Sequence, residues 1–135
     1  AGEGELIDSC KERARIEKLP VTFLGWRKDI DQLFTASDIA ILTSDNEGIP
    51  LTLIQAAQAG LPIVAPAVGS ISDIVESDVT GFLTAPQAGA MASALSALVS
   101  DASLRKKLGA AGKARADEYF SLDRMLRDHT GIYNS

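Results

Sequence analysis

The chain has 135 residues, of which 46% are hydrophobic and 23% are charged. This is the composition of a globular domain and excludes a disordered or fibrous chain. Its formal net charge of −5 argues against a protein built to neutralise nucleic-acid phosphates. The single cysteine excludes an internal disulfide and favours a reducing compartment, so a cytoplasmic location is predicted. No apolar stretch approaches the ~20 residues that a membrane-spanning helix requires.

Helical and strand-like patterns alternate between residues 5 and 85. In chain order they predict a helix over 5–16, a strand over 21–25, a helix over 29–36, a strand over 38–44, a helix over 51–59, a strand over 62–66 and a weaker strand over 81–85. The first three strand-like runs are almost continuously apolar, which is typical of parallel strands covered on both faces. The pattern therefore predicts an α/β fold, a Rossmann-like doubly wound parallel sheet with flanking helices.

The remaining residues carry helical patterns only. One helix is predicted around the apolar positions Met91, Ala94, Leu95 and Leu98. Asp101 or Ser103 can cap the next helix, in which Gly109 and Gly112 are each expected to cost about 1 kcal/mol relative to alanine. Ser121 can cap a last helix, whose apolar side would be formed by Leu122, Met125, Leu126 and Ile132.

The loop after the second predicted strand is the best candidate for a binding site. It runs from Ser44 to Pro50 and leads directly into a helix. Gly48 permits close approach of the backbone, and Pro50 suits the first turn of a helix. The backbone N–H groups of residues 51–53 would then face the loop and form an anion site. The alternative is a tight connection capped by Asp45 or Asn46.

Glu47 and Gln55 are eight residues apart, which places Gln55 about two turns into the helix. Two hydrogen-bond acceptors on either side of an amide-lined helix end can grip sugar hydroxyls around a diphosphate. Gln55 as a plain exposed helix residue is the alternative interpretation.

Residues 38–83 resemble the donor-binding segment of the family-four retaining glycosyltransferases, which have the GT-B fold. The resemblance rests on Asp38, Ser44, Glu47-Gly48, the stretch QAAQAGLP at 55–62, Gly69-Ser70, Asp73 and the stretch TGFL at 80–83. The flanking stretches AGEGEL, VTFLGW and RKKLGAAGKARADEYFSLDRM are also similar to the family, so that the resemblance covers nearly the whole chain.

The resemblance implies that residues 1–135 form the C-terminal, nucleotide-sugar-binding half of a retaining glycosyltransferase. We expect the acceptor domain, the first strand of this domain and the basic residues that clamp the pyrophosphate to precede residue 1. Such a fragment would not transfer sugar alone. No metal or other cofactor is implied, and nucleic acid is not an expected partner.

The family's site residues carry over to specific positions. Glu47 matches the glutamate that contacts the donor sugar and is the candidate catalytic residue. The diphosphate would be held by backbone amides in the segment made of Gly48, Ile49, Pro50, Leu51 and Thr52. Gln55 replaces the glutamate that binds the ribose. The base would be received at Gly25 and Trp26; the Trp26 ring either stacks on the base or covers the sheet edge.

Arg27 and Lys28 are interpreted as a solvated loop, Cys10 as buried in the apolar face of the first helix, and His129 as a surface or packing residue. A non-catalytic α/β nucleotide-binding or interaction module and a sugar-nucleotide epimerase of the same fold are the alternative functions. An exposed sheet edge can pair with a second copy, so an edge-mediated homodimer is a hypothesis. Membrane association of the full-length enzyme is left open.

Overall fold

The computed structural model describes residues 2–121 and Arg124. These residues belong to two compact units, and the division lies between Ile30 and Asp31. Each unit is considered separately below. Within the described part of the chain, no helix combines the length and the apolar character that crossing a membrane requires.

The first unit contains helix α1 (Ile7–Ile16), which is shorter than the predicted helix by two residues. Its polar face carries the ion pairs Arg13–Glu17 and Arg15–Glu12, as a solvated face should. Ala14 is the one buried residue of the helix, while Cys10 is exposed. The predicted burial of Cys10 is therefore wrong, because α1 packs through too narrow an apolar stripe to cover it.

The predicted strand over residues 21–25 does not form. Two of its backbone groups bond outside any ladder: the Val21 amide donates to the Leu19 carbonyl oxygen at 2.8 Å, and the Gly25 carbonyl oxygen accepts from the Gly2 amide at 2.7 Å. A strand exists only where a neighbouring strand completes its hydrogen-bond ladder. Within the described residues this segment has no such ladder, so its apolar sequence remains irregular.

The second unit is built on a three-stranded parallel sheet in the order β1-β2-β3. The strands are β1 (Ala40–Ile41), β2 (Ile63–Pro66) and β3 (Gly81–Thr84). In the register, Ile63 of β2 lies beside both Ala40 and Gly81. The second, third and fourth predicted strands are thus present. Only two residues of the predicted 38–44 run are assigned to β1, which has one ladder partner.

Within the described residues, five helices accompany these strands: α2 (Ile30–Thr35), which spans the division between the units, α3 (Leu51–Gln58), α4 (Ile71–Ile74), α5 (Ala88–Ser100) and α6 (Ala102–Tyr119). The four-residue α4 was not predicted because it is too short to show a helical period. Asp101 caps α6, since its carboxylate accepts from the Leu104 amide at 2.9 Å. Ser103, the other predicted cap, makes no such bond.

Strand β2 is buried on both faces, as its apolar sequence predicted. Ile63 and Ala65 pack in a cluster with residues of α3, α4 and α6, among them Leu53, Ile71 and Ala116. The alternating residue Val64 packs on the opposite face with Met91, Leu98 and Leu108 of α5 and α6. This two-sided cover is the α/β arrangement expected from the sequence.

The predicted last helix falls mostly beyond the described residues. The hydroxyl of Ser121 accepts a hydrogen bond from the Arg124 amide at 3.3 Å, in agreement with a cap at Ser121. Four apolar positions predicted for that helix and the lone histidine lie outside the described residues: Leu122, Met125, Leu126, Ile132 and His129.

Candidate functional site

The start of α3 presents unpartnered backbone donors. Pro50 precedes the helix in an extended conformation, with φ −73° and ψ 100°, and no side chain caps the helix. The alternative of a connection capped by Asp45 or Asn46 is therefore wrong. Within the described residues, the amides of Leu51 and Thr52 have no hydrogen-bond partner. Both residues are exposed, so these donors face a surface that an anion can reach.

The prediction of a third free amide at Leu53 is wrong. The Leu53 amide donates to the Pro50 carbonyl oxygen at 2.9 Å, and the Ile54 amide reaches the same oxygen at 3.4 Å. Such tightening of a first turn satisfies one of the four donors that a helix start otherwise leaves free. The anion-facing set is therefore the pair Leu51 and Thr52.

The main chain of Glu47 contacts the loop that follows β2. Glu47 is half-buried, whereas Asp45, Asn46 and Gly48 around it are exposed. Gly69, in the loop that follows β2, has a φ of +53°, and a Cβ atom built on it would lie 1.8 Å from the Glu47 carbonyl oxygen. The main chains at positions 47 and 69 are thus in direct contact. Loops after the carboxyl ends of parallel strands are where open α/β sheets bind ligands.

Gln55 lies further along α3 on its exposed side. Leu53, Ile54, Ala56 and Ala57 of the same helix are buried. From Leu51 to Gln55 the helix rises about 6 Å, so the amide side chain lies one turn from the free backbone donors. Gln55 is an exposed helix residue, as the simpler interpretation held, and the same exposure leaves it open to a ligand.

Gly25 and Trp26 belong to the first unit. Gly25 has a φ of +60° and borders a cavity of about 580 Å³. The other residues lining that cavity are Glu3, Gly4, Ile7, Lys11, Phe23 and Leu24. Glu3 belongs to the AGEGEL stretch that resembles the family, but neither this residue nor Lys11 was predicted as a site residue. Their convergence depends on the fold of residues 2–25, which spacing does not reveal.

Trp26 is 64% exposed, and the Lys28 ammonium lies 5.5 Å from the centre of its ring. This distance is that of a cation–π contact. Arg27 pairs with the Asp29 carboxylate, and this pairing lowers the pKa of Asp29. Arg27 and Lys28 therefore interact within their own exposed loop, as the solvated-loop interpretation predicted.

The part of the chain that the structure describes contains no cluster of three or more histidine, cysteine or acidic side chains able to hold a metal ion. The polar groups that precede α3 or lie on it are Glu47, the side-chain amide of Gln55 and the backbone N–H groups of Leu51 and Thr52, which have no partner within the described residues. Groups of these types can bind an anion that is flanked by hydroxyl groups.

Comparison with known proteins gives the family. Residues 1–115 match the family model described as "Glycosyl transferases group 1". The chain therefore belongs to the group 1 glycosyltransferases, as the sequence motifs indicated. A match to a glycosyltransferase family favours this function over the alternative of an epimerase.

Two curated relatives illustrate the extent of the match. The lipopolysaccharide core biosynthesis mannosyltransferase LpsB of Rhizobium meliloti is 30% identical over 100% of this chain and 39% of its own length. The D-inositol 3-phosphate glycosyltransferase of Salinispora tropica is 35% identical over 78% of this chain and 22% of its own length. The chain thus spans between about a fifth and two fifths of these relatives.

Solved structures agree with the family. HepE of Anabaena in complex with UDP has 26% sequence identity and a TM-score of 0.91, over 95% of this chain and 36% of its own. The complex of HepE with UDP-glucose has the same identity and TM-score, over 98% of this chain and 39% of its own. The GT-B assignment of the fold is confirmed by these structures.

Proposed function

We propose that this chain binds a nucleoside diphospho-sugar at the start of α3 and acts as the donor-binding part of a retaining glycosyltransferase. The observation that carries the proposal is the pair of backbone amides at Leu51 and Thr52, which have no hydrogen-bond partner within the described residues and follow a loop that contains the half-buried residue Glu47. Two relatives of this chain are named as glycosyltransferases, and HepE is described with UDP and UDP-glucose bound.

In the proposed mechanism, the diphosphate accepts hydrogen bonds from the Leu51 and Thr52 amides. The positive end of the α3 dipole adds to this interaction. Negative charge grows on the diphosphate as the bond to the sugar breaks, and donors already aimed at it stabilise the transition state more than the ground state. Because backbone amides supply this stabilisation, we propose that no metal ion or other cofactor is needed.

Glu47 is proposed to contact the donor sugar. A carboxylate is an acceptor of strong, charge-assisted hydrogen bonds from sugar hydroxyls. Gly48, Ile49 and Pro50 continue the backbone from Glu47 to the two amides, so the sugar and the diphosphate would be held by one short segment. Its conformation is supported by the contact with Gly69.

Gln55 is proposed to bind the ribose in place of the family's glutamate. Its carbonyl oxygen is a neutral acceptor, whereas a carboxylate offers two charged oxygens. We expect this difference to weaken nucleotide binding by about 1–2 kcal/mol. The base is proposed to be received by the first unit at Gly25 and Trp26.

The acceptor is proposed to bind a further domain. We propose that the chain alone does not transfer sugar and that the full protein works in the cytoplasm. The exposed edge strand β1, in which Ile41 is 48% exposed, makes self-association a second proposal. Sedimentation at several concentrations tests it, and a mass that stays monomeric rejects it.

A non-catalytic module is the second candidate function, and the replacement of the family's glutamate by Gln55 is the observation that favours it. The two candidates differ in nucleotide binding. A thermal-shift series with UDP, GDP and ADP in the presence of EDTA should show a rise in melting temperature for one base in preference to the others. With UDP-glucose as the ligand, the rise should be smaller for Glu47→Ala and unchanged for Asp45→Asn. No rise at millimolar nucleotide would contradict the proposed function and favour the non-catalytic module.

A further inference from the structure

The contact between Gly69 and Glu47 involves no side chain of residue 69. A Cβ atom at position 69 would lie 1.8 Å from the Glu47 carbonyl oxygen, 2.9 Å from its carbonyl carbon and 3.3 Å from its amide nitrogen. All three atoms belong to the main chain of Glu47. A side chain at 69 cannot be relieved by a rotamer change, because rigid backbone stands in its place.

The backbone conformation of Gly69 adds a second requirement. Its φ of +53° lies in the left-handed region, which most side chains disfavour and asparagine tolerates better. Glycine therefore meets two separate needs at this position: the positive φ and the absence of a Cβ atom. Substitution by asparagine relaxes the first need and leaves the second in place.

The loop that contains Gly69 leads into α4, which begins two residues later and is bound to α6 by several contacts. The Arg115 guanidinium on α6 donates to the Asp73 carbonyl oxygen at 3.0 Å and lies 3.7 Å from the Glu76 carboxylate. It also lies 5.1 Å from the centre of the Tyr119 ring. Ile71 and Ile74 of α4 are buried in the core. The Gly69 loop is thus attached to a helix fixed at several points.

On the other side of the contact, Glu47 is three residues before Pro50. Pro50 is buried and accepts the first hydrogen bonds of α3. The segment from Glu47 to Pro50 is therefore held at both ends, at Glu47 by the close contact with Gly69 and at Pro50 by the start of α3. A shift of the Glu47 main chain would move the Glu47 carboxylate. It would also move the loop segment that leads to the Leu51 and Thr52 amides.

We infer that Gly69 is a positioning residue, which fixes the main chain of Glu47 and through it the sugar-contacting carboxylate. Gly69 itself does not need to touch the ligand through a side chain. The effect of Gly69 on the position of the Glu47 main chain is expected already in the ligand-free protein. The consequence for the sugar rests on the proposed function.

The test compares Gly69→Ala and Gly69→Asn with Gly60→Ala. Gly60 has a φ of +81° but nothing within 4 Å of its Cβ position, so the control imposes a left-handed alanine without a contact to Glu47. In the ligand-free protein, both Gly69 variants should shift the amide resonances of Glu47, Leu51 and Thr52, and Gly60→Ala should leave them in place. Equal shifts in all three variants, or none in the Gly69 variants, would overturn the inference.

Wild-type protein supplies a measurement that does not depend on how the variants fold. The amide proton of Glu47 should show a nuclear Overhauser effect to the α-protons of Gly69, and its absence would overturn the inference.

Affinities then test the consequence for the sugar. The preference for UDP-glucose over UDP should fall about tenfold in both Gly69 variants and persist in Gly60→Ala. If wild type binds neither ligand, the proposed function fails while the resonance comparison still decides the positioning.

Discussion

The backbone of α6 at Gly109 lies against the turn that joins α3 to β2 at Gly60. A Cβ atom at Gly109 would be 2.0 Å from the Gly60 carbonyl oxygen and 3.4 Å from the Pro62 ring. Gly109 was expected from the sequence only to weaken a helix. In the structure, the absence of a side chain at Gly109 also lets α6 pack closely against this turn. Leu108 and Ala116 of the same helix are buried.

Gly109→Ala should therefore destabilise the chain even though alanine favours helices. We expect a loss of about 1–3 kcal/mol in the free energy of unfolding, because the added methyl group overlaps rigid backbone. Urea denaturation followed by circular dichroism measures it. Gly89→Ala in α5 is the matched control, since its Cβ position has open space. A Gly109→Ala variant as stable as Gly89→Ala would contradict the close approach.

The cap of α6 gives a second stability prediction. Asp101→Ala removes the carboxylate that accepts from the Leu104 amide and should cost about 1 kcal/mol. Ser103→Ala, at the other cap position considered from the sequence, should change the free energy of unfolding by less than about half of that. Thermal denaturation of both variants measures the difference, and a larger loss at Ser103 would reverse the assignment of the cap.

Glu47→Ala should reduce the affinity for UDP-glucose more than the affinity for UDP. The lost hydrogen bonds to a charged acceptor correspond to about 1.5–3 kcal/mol, or roughly tenfold to a hundredfold. Isothermal titration calorimetry with both ligands measures the two affinities. Asp45→Asn removes a nearby exposed charge and should leave their ratio unchanged. Equal losses for both ligands would place the Glu47 contact on the nucleotide instead.

Gln55→Glu restores the residue type that the family pattern has at this position. We expect nucleotide affinity to rise by about 1–2 kcal/mol, because a carboxylate is the stronger acceptor for ribose hydroxyls. Gln55 is exposed, so the free energy of unfolding should hardly change. Gln58→Glu adds the same charge to the same helix and should not raise affinity. A gain in both variants, or in neither, would argue against ribose binding at Gln55.

The pair Arg27–Asp29 makes a prediction about titration. The guanidinium lowers the pKa of Asp29 by hydrogen bonding to its carboxylate. The stabilisation that comes from this pair is therefore present at neutral pH and is lost as the pH falls through that lowered pKa. In Arg27→Gln the pKa of Asp29 should rise toward the ordinary aspartate value, as followed by carboxyl ¹³C shifts. An unchanged pKa would mean that the pair does not form in solution.

Much of the second unit was predictable, because β2 lies in an almost continuous apolar run, residues 81–85 carry a weaker strand pattern and α5 has a clear helical period. The strand at residues 21–25 was not correctly predicted, since its apolar sequence says nothing about whether a ladder partner is present. The burial of Cys10 was wrongly predicted for a similar reason. Helical spacing identifies the apolar face of a helix but does not show whether another element covers that face.

The candidate site was predictable in its parts but not in its contacts. The loop and the helix start were evident from Glu47, Gly48 and Pro50. The capture of the Leu53 amide by Pro50 depends on the geometry of one turn. The support of Glu47 by Gly69 joins residues 22 positions apart in the chain, and only the packing of two loops brings them together.

We expect the start of α3 to hold the diphosphate. Amide shifts in ¹⁵N-labelled protein, mapped during titration with UDP, test this expectation. The shifts should be saturable and largest at Leu51 and Thr52, with a smaller shift at Gln55. Shifts confined to other parts of the chain, or no shifts at millimolar UDP, would contradict it.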